Sequence, residues 1–500
     1  MKEIELWADS FHEGHWACEH LYNIHIKKKL KVIKYFENGF IPIYEFYFDK
    51  EILKIKVYGS YKSWSPIPKK IEKLLAWGKP DFLAYDANLK KILFAVEETA
   101  AVPTGNQALQ RCERLYGASR DNIPFWYLLS EFGVHKDGGI RTDSIWPTIM
   151  AIKLSIKNIT PSIVLHYSDI ENPEGYNFGK GVNQLFNALY KLISNFFNEK
   201  EIFSETETIL SNHYQDMFRF IKSQYKKIIE NLPGIDLLNN DEIIKDIINL
   251  IIHKKISLSE FGKKYPNFLV WPERKEWLKL TKKTIKSSEL IKKDLFARSL
   301  ELSIDKKQSY IISSNAGSKP QNPKQVADWI KKQKVSFDKA TKLLKIKSNF
   351  NVKLSDFPKS DKGNLHLTTS KNILYLFDRY VDIKKIIYTL YPRLDKKLDT
   401  YNNYMRAIVY ISNSLKPGRI FGDPFTGQIS CYSTVFGKFE NNPRLVIAYF
   451  PHQSFSQFLD TEKKLVENKG YTLMRELVDI IIFGGGVVIK FNSDGRAEVV

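Results

Sequence analysis

The 500-residue chain reads as an N-terminal α/β core, a mixed sheet flanked by helices, followed by a helical basic region and an α+β C-terminal part. Three observations predict this. In residues 1–200, short apolar runs bounded by turn residues alternate with segments of helical period. Residues 201–315 carry mostly helical spacing with dense lysine. Residues 316–500 mix both periods after SSNAGSKPQNP (Ser313 to Pro323), the clearest linker in the chain.

Within the first part, Ile41 to Phe48 (IPIYEFYF) and Ile52 to Tyr58 alternate like strands. The pattern then concentrates between Lys79 and Leu129. Asp81 to Tyr85 predicts a short strand behind Pro80, and Asp86-Ala87-Asn88 a turn. Ile92 to Thr99 predicts a second strand, apolar until it meets Glu97 and Glu98. Pro103 and Gly105 break the chain, Asn106 to Tyr116 predicts a helix that Gly117 would end, and Pro124 to Leu129 predicts a buried strand. Ser162 to Tyr167 and the helix Val182 to Phe197 complete the part, and the acidic stretch Asn198 to Thr208 suggests a boundary.

An antiparallel hairpin brings the start of one strand beside the end of the other, so Asp81 and Glu97 are expected to meet. Two converging carboxylates make an oxygen-rich pocket of the kind Mg²⁺ takes with waters left on the metal. Strand period puts Glu97 and Thr99 on one face and Glu98 on the other, so Glu98 needs a partner, with Arg111 and Arg114 the candidates.

Pro80-Asp81, the hairpin, Val96-Glu97-Glu98-Thr99, and then a polar helix and a strand resemble the PD-(D/E)XK nuclease superfamily, over about residues 70–130. The resemblance implies a restriction-endonuclease-like core in which Asp81 and Glu97 hold Mg²⁺, with Mn²⁺ a possible substitute. Thr99 falls where the family has lysine. A hydroxyl can bond water but brings no positive charge. Either Lys91, Gln110 or Arg111 takes over the lysine's part, or a second metal supplies the charge, or the site is dead. Members often take a further acid from an N-terminal helix, and Glu19 and Glu72 are the positions to test.

The helix after Glu97 has an apolar stripe (Ala108, Cys112, Leu115) and a polar one (Gln107, Gln110, Arg111, Arg114). The polar stripe is either a solvated face or a wall able to grip phosphate oxygens. The implied roles are catalysis by Asp81, Glu97, Thr99 and Gln110, and substrate binding by Arg111, Arg114 and Gln107.

Net charge is +20, from 76 basic and 56 acidic residues, and favours a polyanionic partner. Lysine-rich codon usage could raise that figure without function. Cys18, Cys112 and Cys431, far apart and with no CxxC, make neither a disulfide framework nor a zinc ribbon. With no signal peptide and no spanning run, the chain is expected to be soluble and cytoplasmic. His12, His15, Cys18, His20 and His25 are candidates for metal binding, or face outward from a helix whose Trp16, Leu21 and Ile24 pack inward. Lysines interleaved with Trp271 and Trp277 lie either on DNA phosphates, with the tryptophans as packing anchors, or on solvated helix faces. Pro323 to Ile346 has the length of two short helices joined by a turn, a weak helix-turn-helix signal. Gly418 to Gly437 reads as a ligand-contacting loop, and Gly484-Gly485-Gly486 as a turn or bulge.

Three functions follow as expectations. The first is a Mg²⁺-dependent endonuclease of restriction or defence type, with DNA as partner and a homodimer as one expected assembly. The second is a nuclease activated by a regulatory protein or a nucleic-acid guide complex. The third is a non-catalytic DNA-binding protein with a degenerate site.

Overall fold

Eight segments of the N-terminal half pair into one mixed sheet because their alternate side chains are apolar and need cover. The computed structural model describes residues 2–26, 32–37, 41–48, 51–61, 66–99, 106–130, 145–167, 180–228, 240–266, 268, 365–369, 372–390, 404–412, 425–438, 444–450, 453, 469–484, 487–491 and 497–499. The strands are β1 (Lys2–Ala8), β2 (Val32–Glu37), β3 (Ile41–Phe48), β4 (Glu51–Gly59), β5 (Phe82–Asp86), β6 (Lys91–Thr99), β7 (Phe125–Ser130) and β8 (Ser162–Tyr167). Their order is β2-β3-β4-β1-β5-β6-β7-β8. β1 is parallel to β4 and antiparallel to β5, β5 and β6 form the expected hairpin, and β6, β7 and β8 run parallel. The carboxyl ends of β1, β4, β6, β7 and β8 therefore share one rim with the start of β5.

Helices α1 (Phe11–Ile26) and α6 (Lys180–Phe197) cover one face, where Trp16 meets Phe82 and Phe186 edge-on. Leu21 is buried, and Trp16 and Ile24 pack against the core. Helix α2 (Lys69–Leu75) lies toward α4 (Cys112–Arg120), where Lys73 pairs with Asp121 and Trp77 lies against Gly117. The crossovers α3 (Asn106–Gln110), α4 and α5 (Trp146–Asn158) cover the other face.

The single helix expected over 106–116 is broken at Arg111, whose backbone is not helical, and it continues past Gly117 to Arg120. Gly117 ends nothing. A Cβ there would fall 2.0 Å from Trp77 Cβ, so glycine is what lets α4 lie against that ring. Helices α7 (Glu207–Ile228), α8 (Asp241–Ile248), a π turn (Asn249–His253) and α9 (Leu258–Lys264) follow. Leu210, Tyr214 and Ile221 of α7 and Ile243 and Ile247 of α8 join the same apolar core as the sheet. Trp271, Trp277, the linker Ser313 to Pro323 and the segment Pro323 to Ile346 lie outside the described residues.

The C-terminal part builds a second sheet from β9 (Leu365–Thr369), β10 (Asn372–Asp382), β11 (Tyr404–Ser412), β12 (Leu445–Phe450), β13 (Ile480–Phe483), β14 (Val488–Phe491) and β15 (Ala497–Val499), in order β15-β14-β13-β12-β11-β10-β9. Its helices are α10 (Ile383–Leu390), α11 (Phe425–Tyr432), which runs on in a π turn to Gly437, and α12 (Lys469–Leu477). Strand period divides its core in two. Ile408, Tyr410, Val446 and Ala448 face α11 and merge with the N-terminal core, while Ala407, Val409 and Ile447 face α10.

The part of Gly418 to Gly437 that is described, from Phe425 on, is not the expected ligand loop. It is buried helix whose hydroxyls turn inward, with Ser430 donating to Thr426 O and Thr434 to Ser430 O. Gly484 takes a turn, as expected; its two neighbours lie outside the described residues.

Helix α11 lies directly on the α3–α4 break. A Cβ on Gly427 would stand 2.2 Å from Gln110 O, an approach only glycine permits. Around it, Tyr116 and Arg120 donate to Glu476 Oε1 at 2.7 and 2.8 Å, Lys153 donates to Val435 O, and Trp146 packs on Phe436. Gly427→Leu should therefore cost about 1–3 kcal/mol or more of stability, seen as a lower urea midpoint. An unchanged midpoint would mean that α11 does not bear on this backbone.

Candidate functional site

The rim gathers acids because the chain is pinned there from several sides. Asp9 N donates to Asp81 O at 2.8 Å, extending the β1–β5 ladder by one residue. The buried Tyr61 hydroxyl shares its one proton between Trp7 O at 3.2 Å and Pro80 O at 3.1 Å, fixing the entry to Asp81. Because Phe82 pairs with Val96, Asp81 stands opposite Glu97, as the hairpin predicted. Both are buried, Glu97 at 0% and Asp81 at 6% exposure.

A buried carboxylate needs a counter-charge or donors. Glu97 has both. Its Oε1 accepts from Arg111 Nη1 at 2.7 Å, and its Oε2 accepts from Arg114 Nη1. Asp81 Oδ2 accepts from the Glu98 amide at 2.5 Å. Its other oxygen lies 4.0 Å from Arg111 and 3.8 Å from Arg114. Burial, and then the neighbouring Glu97 charge, push the Asp81 carboxyl well above its ordinary range; the Glu98 amide and Arg114 oppose them. For Arg114, burial pulls the guanidinium down, yet Glu97 and Glu113 outweigh it and the group is held more firmly charged than usual.

Glu98 does not pair with either arginine. It points to the α1–α6 face and accepts from Tyr167 Oη at 2.5 Å. Burial pushes its pKa up to about 7, against that hydrogen bond. The helix-borne acid at the rim is neither Glu19 nor Glu72. Glu19 pairs with His15 and Glu72 is exposed. Glu13 takes that place, with burial raising its pKa and the charges of Asp9 and Glu97 adding to the rise. A legible signal pointed to it. Ser10-Phe11-His12-Glu13 follows a strand as a capping box, with Ser10 N donating to Glu13 Oε2 and Glu13 N to Ser10 Oγ.

The other expected residues divide. Thr99 lies on the Glu97 face, but its hydroxyl donates to Tyr127 Oη at 3.1 Å, and Tyr127 in turn donates to Ala108 O. It ties β6 to β7 and α3. Gln110 ends α3 next to Arg111, half-buried, and the Gln107 side chain lies outside the described residues. Lys91 begins β6 at the opposite end of the strand from Glu97, exposed, and cannot supply charge at the rim. The histidines scatter: His15 bonds Tyr44, and His20 stacks on Phe186.

The donors facing each other at the rim are carboxylate oxygens, which suit a hard divalent cation. Both arginines reach from Glu97 toward Asp81, with Arg111 Nη1 4.0 Å and Arg114 Nη1 3.8 Å from Asp81 Oδ1. Among the described residues, no three acidic, histidine or cysteine side chains are arranged to hold a metal. The two arginines are not equivalent. Arg114 is 10% exposed and Arg111 34%, so Arg111 is the one able to turn outward.

No family model matches the chain, and neither a curated protein nor a solved structure matches it. Among the described residues, no helix is long and apolar enough to cross a membrane.

Two measurements bear on these electrostatics. Glu98 holds its proton longer folded than unfolded, so its contribution is full below about pH 4.5 and is lost as pH rises through about 7. Glu98→Gln should therefore gain on the parent between about pH 5 and about pH 8, by on the order of 2 kcal/mol, in urea denaturation at both pH values. A gap that does not change with pH would contradict the assignment. Arg114→Met leaves Glu97 buried beside Arg111 alone and should cost about 3 kcal/mol, most of it recovered in the double variant with Glu97→Gln. Additive losses would show that the pair is not coupled.

Proposed function

We propose that this protein is a divalent-metal-dependent endonuclease acting on DNA, with a restriction-endonuclease-like N-terminal core. The observation that carries the reading is the meeting of Asp81 and Glu97 at the carboxyl rim of a mixed sheet, beside a guanidinium that can leave. The net charge of +20 supports a polyanionic substrate.

Asp81 and Glu97 would hold the metal, which when bound supplies an acidified water and shields phosphate charge. The chain's own groups do the rest. Arg114, locked on Glu97, holds that carboxylate aimed at the rim. Arg111 exchanges its bond to Glu97 for the non-bridging oxygens of the phosphate, where its planar fork offsets charge that grows during in-line attack. Glu98, with a pKa of about 7, is suited to take or give a proton near neutrality. Thr99 positions Tyr127 and α3 and supplies no charge. Arg111 thereby covers the role that the resemblance gives to a lysine.

A second reading, a DNA-binding protein that does not cut, is favoured by one observation: both oxygens of Glu97 are already filled by arginine.

Plasmid incubated with Mg²⁺ or Mn²⁺ should be cut by the parent protein. Asp81→Ala and Glu97→Ala should each lower the rate by at least about a thousandfold, with DNA retention in a gel-shift assay unchanged. Full cleavage by both variants would end the nuclease reading. Salt-sensitive binding without any hydrolysis by the parent would select the second.

A further inference from the structure

The two sheets share more than packing. In the first, β1-β5-β6-β7-β8 reads as a strand antiparallel to a hairpin, and then two parallel strands reached by crossovers. In the second, β9-β10-β11-β12-β13 repeats that order and those directions. The crossovers correspond as well. The α3–α4 pair leads from β6 to β7 as α11 leads from β11 to β12, and α5 precedes β8 as α12 precedes β13.

Corresponding helices then meet reciprocally. Helix α4 packs on its counterpart α11, with Cys112 of one beside Cys431 of the other, both fully buried. Helix α4 also reaches α12 through Tyr116 and Arg120 to Glu476. In the matching direction, α5 reaches the π turn that extends α11, through Lys153 to Val435 and Trp146 to Phe436. Contacts of the form i-to-j and j-to-i are the mark of a two-fold interface, here closed within one chain.

The units differ at the rim. In the first, the Phe82–Val96 pairing sets Asp81 opposite Glu97. In the second, the same end of the hairpin pairs Asn372 with Ser412. No aspartate or glutamate occurs from Leu365 to Phe377 or from Tyr404 to Gly422.

We propose that residues 365–491 are a counterpart of the unit bearing Asp81 and Glu97 that lacks acids at the corresponding end of its hairpin, packed through α11 and α12 where a second copy of that unit would otherwise pair. The protein is then a monomer with one cutting centre. Resting on the nuclease reading above, it cuts a single strand of the duplex per encounter, because the partner strand runs antiparallel and needs a centre related by a two-fold axis.

Two readouts test this on the full-length chain. Sedimentation equilibrium at micromolar concentration should give the monomer mass of 58.2 kDa; twice that mass overturns the pairing. Supercoiled plasmid with Mg²⁺ should pass to open circles that accumulate, with linear DNA rising only after a lag. Linear product formed without an open-circle stage overturns single-strand cutting. If the parent protein, with Asp81 and Glu97 intact, hydrolyses nothing, the nuclease reading fails and the strand count with it; the solution mass still decides whether the two units are paired within one chain.

Discussion

A carboxylate with no exposure needs compensating charge or hydrogen-bond donors, and the Glu97 cluster is where this fold meets that demand. Two guanidinium groups on one helix segment answer two acids on one hairpin. The two arginines lie three residues apart, with Arg114 N bonded to Arg111 O across the α3–α4 break, so both side chains reach Glu97 from one turn. The break is itself held from behind by α11, whose Gly427 lies against Gln110 O. The electrostatics of the rim and the packing of the C-terminal part are thus one mechanical unit.

That link gives the rim its character. Arg114 is enclosed and serves as a permanent counter-charge, whereas Arg111 is partly in water and free to exchange partners. Glu98 and Glu13 approach the same edge from the other face of the sheet, so fixed positive charge beside Asp81 on one side meets two further acids of raised pKa on the other. Placing groups of opposed tendency around one point is how a fold obtains acid–base and electrostatic chemistry near neutral pH.

The hairpin was legible because everything that defines it is local. Strand ends came within a residue or so of Phe82–Asp86, Lys91–Thr99 and Phe125–Ser130, since apolar runs between turn residues leave little choice. Side-chain partners were harder. Glu98 was expected to meet an arginine and instead meets Tyr167, across β7 from it, a contact that exists only through sheet order. Glu13 had a local signature, but its place at the rim requires α1 to fold back over β4. Gly59 permits this, as a Cβ there would lie 2.6 Å from the Phe11 backbone. Gly117 misled because a glycine inside a helix and a glycine after one look alike until Trp77 is in place.

By itself the amino-acid order determined an α/β core with a carboxylate hairpin, a strongly basic chain, and cysteines too sparse for a disulfide scaffold. These depend on residue type and on spacing along the chain, which a linear reading preserves. Tertiary structure alone decided that Arg111 and Arg114 both seat on Glu97, that Thr99 bonds Tyr127, and that five strands of the second sheet repeat the order of five in the first, the two packing helix to helix. Those outcomes come from segments far apart in sequence competing for the same buried faces, and nothing local encodes which of them prevails.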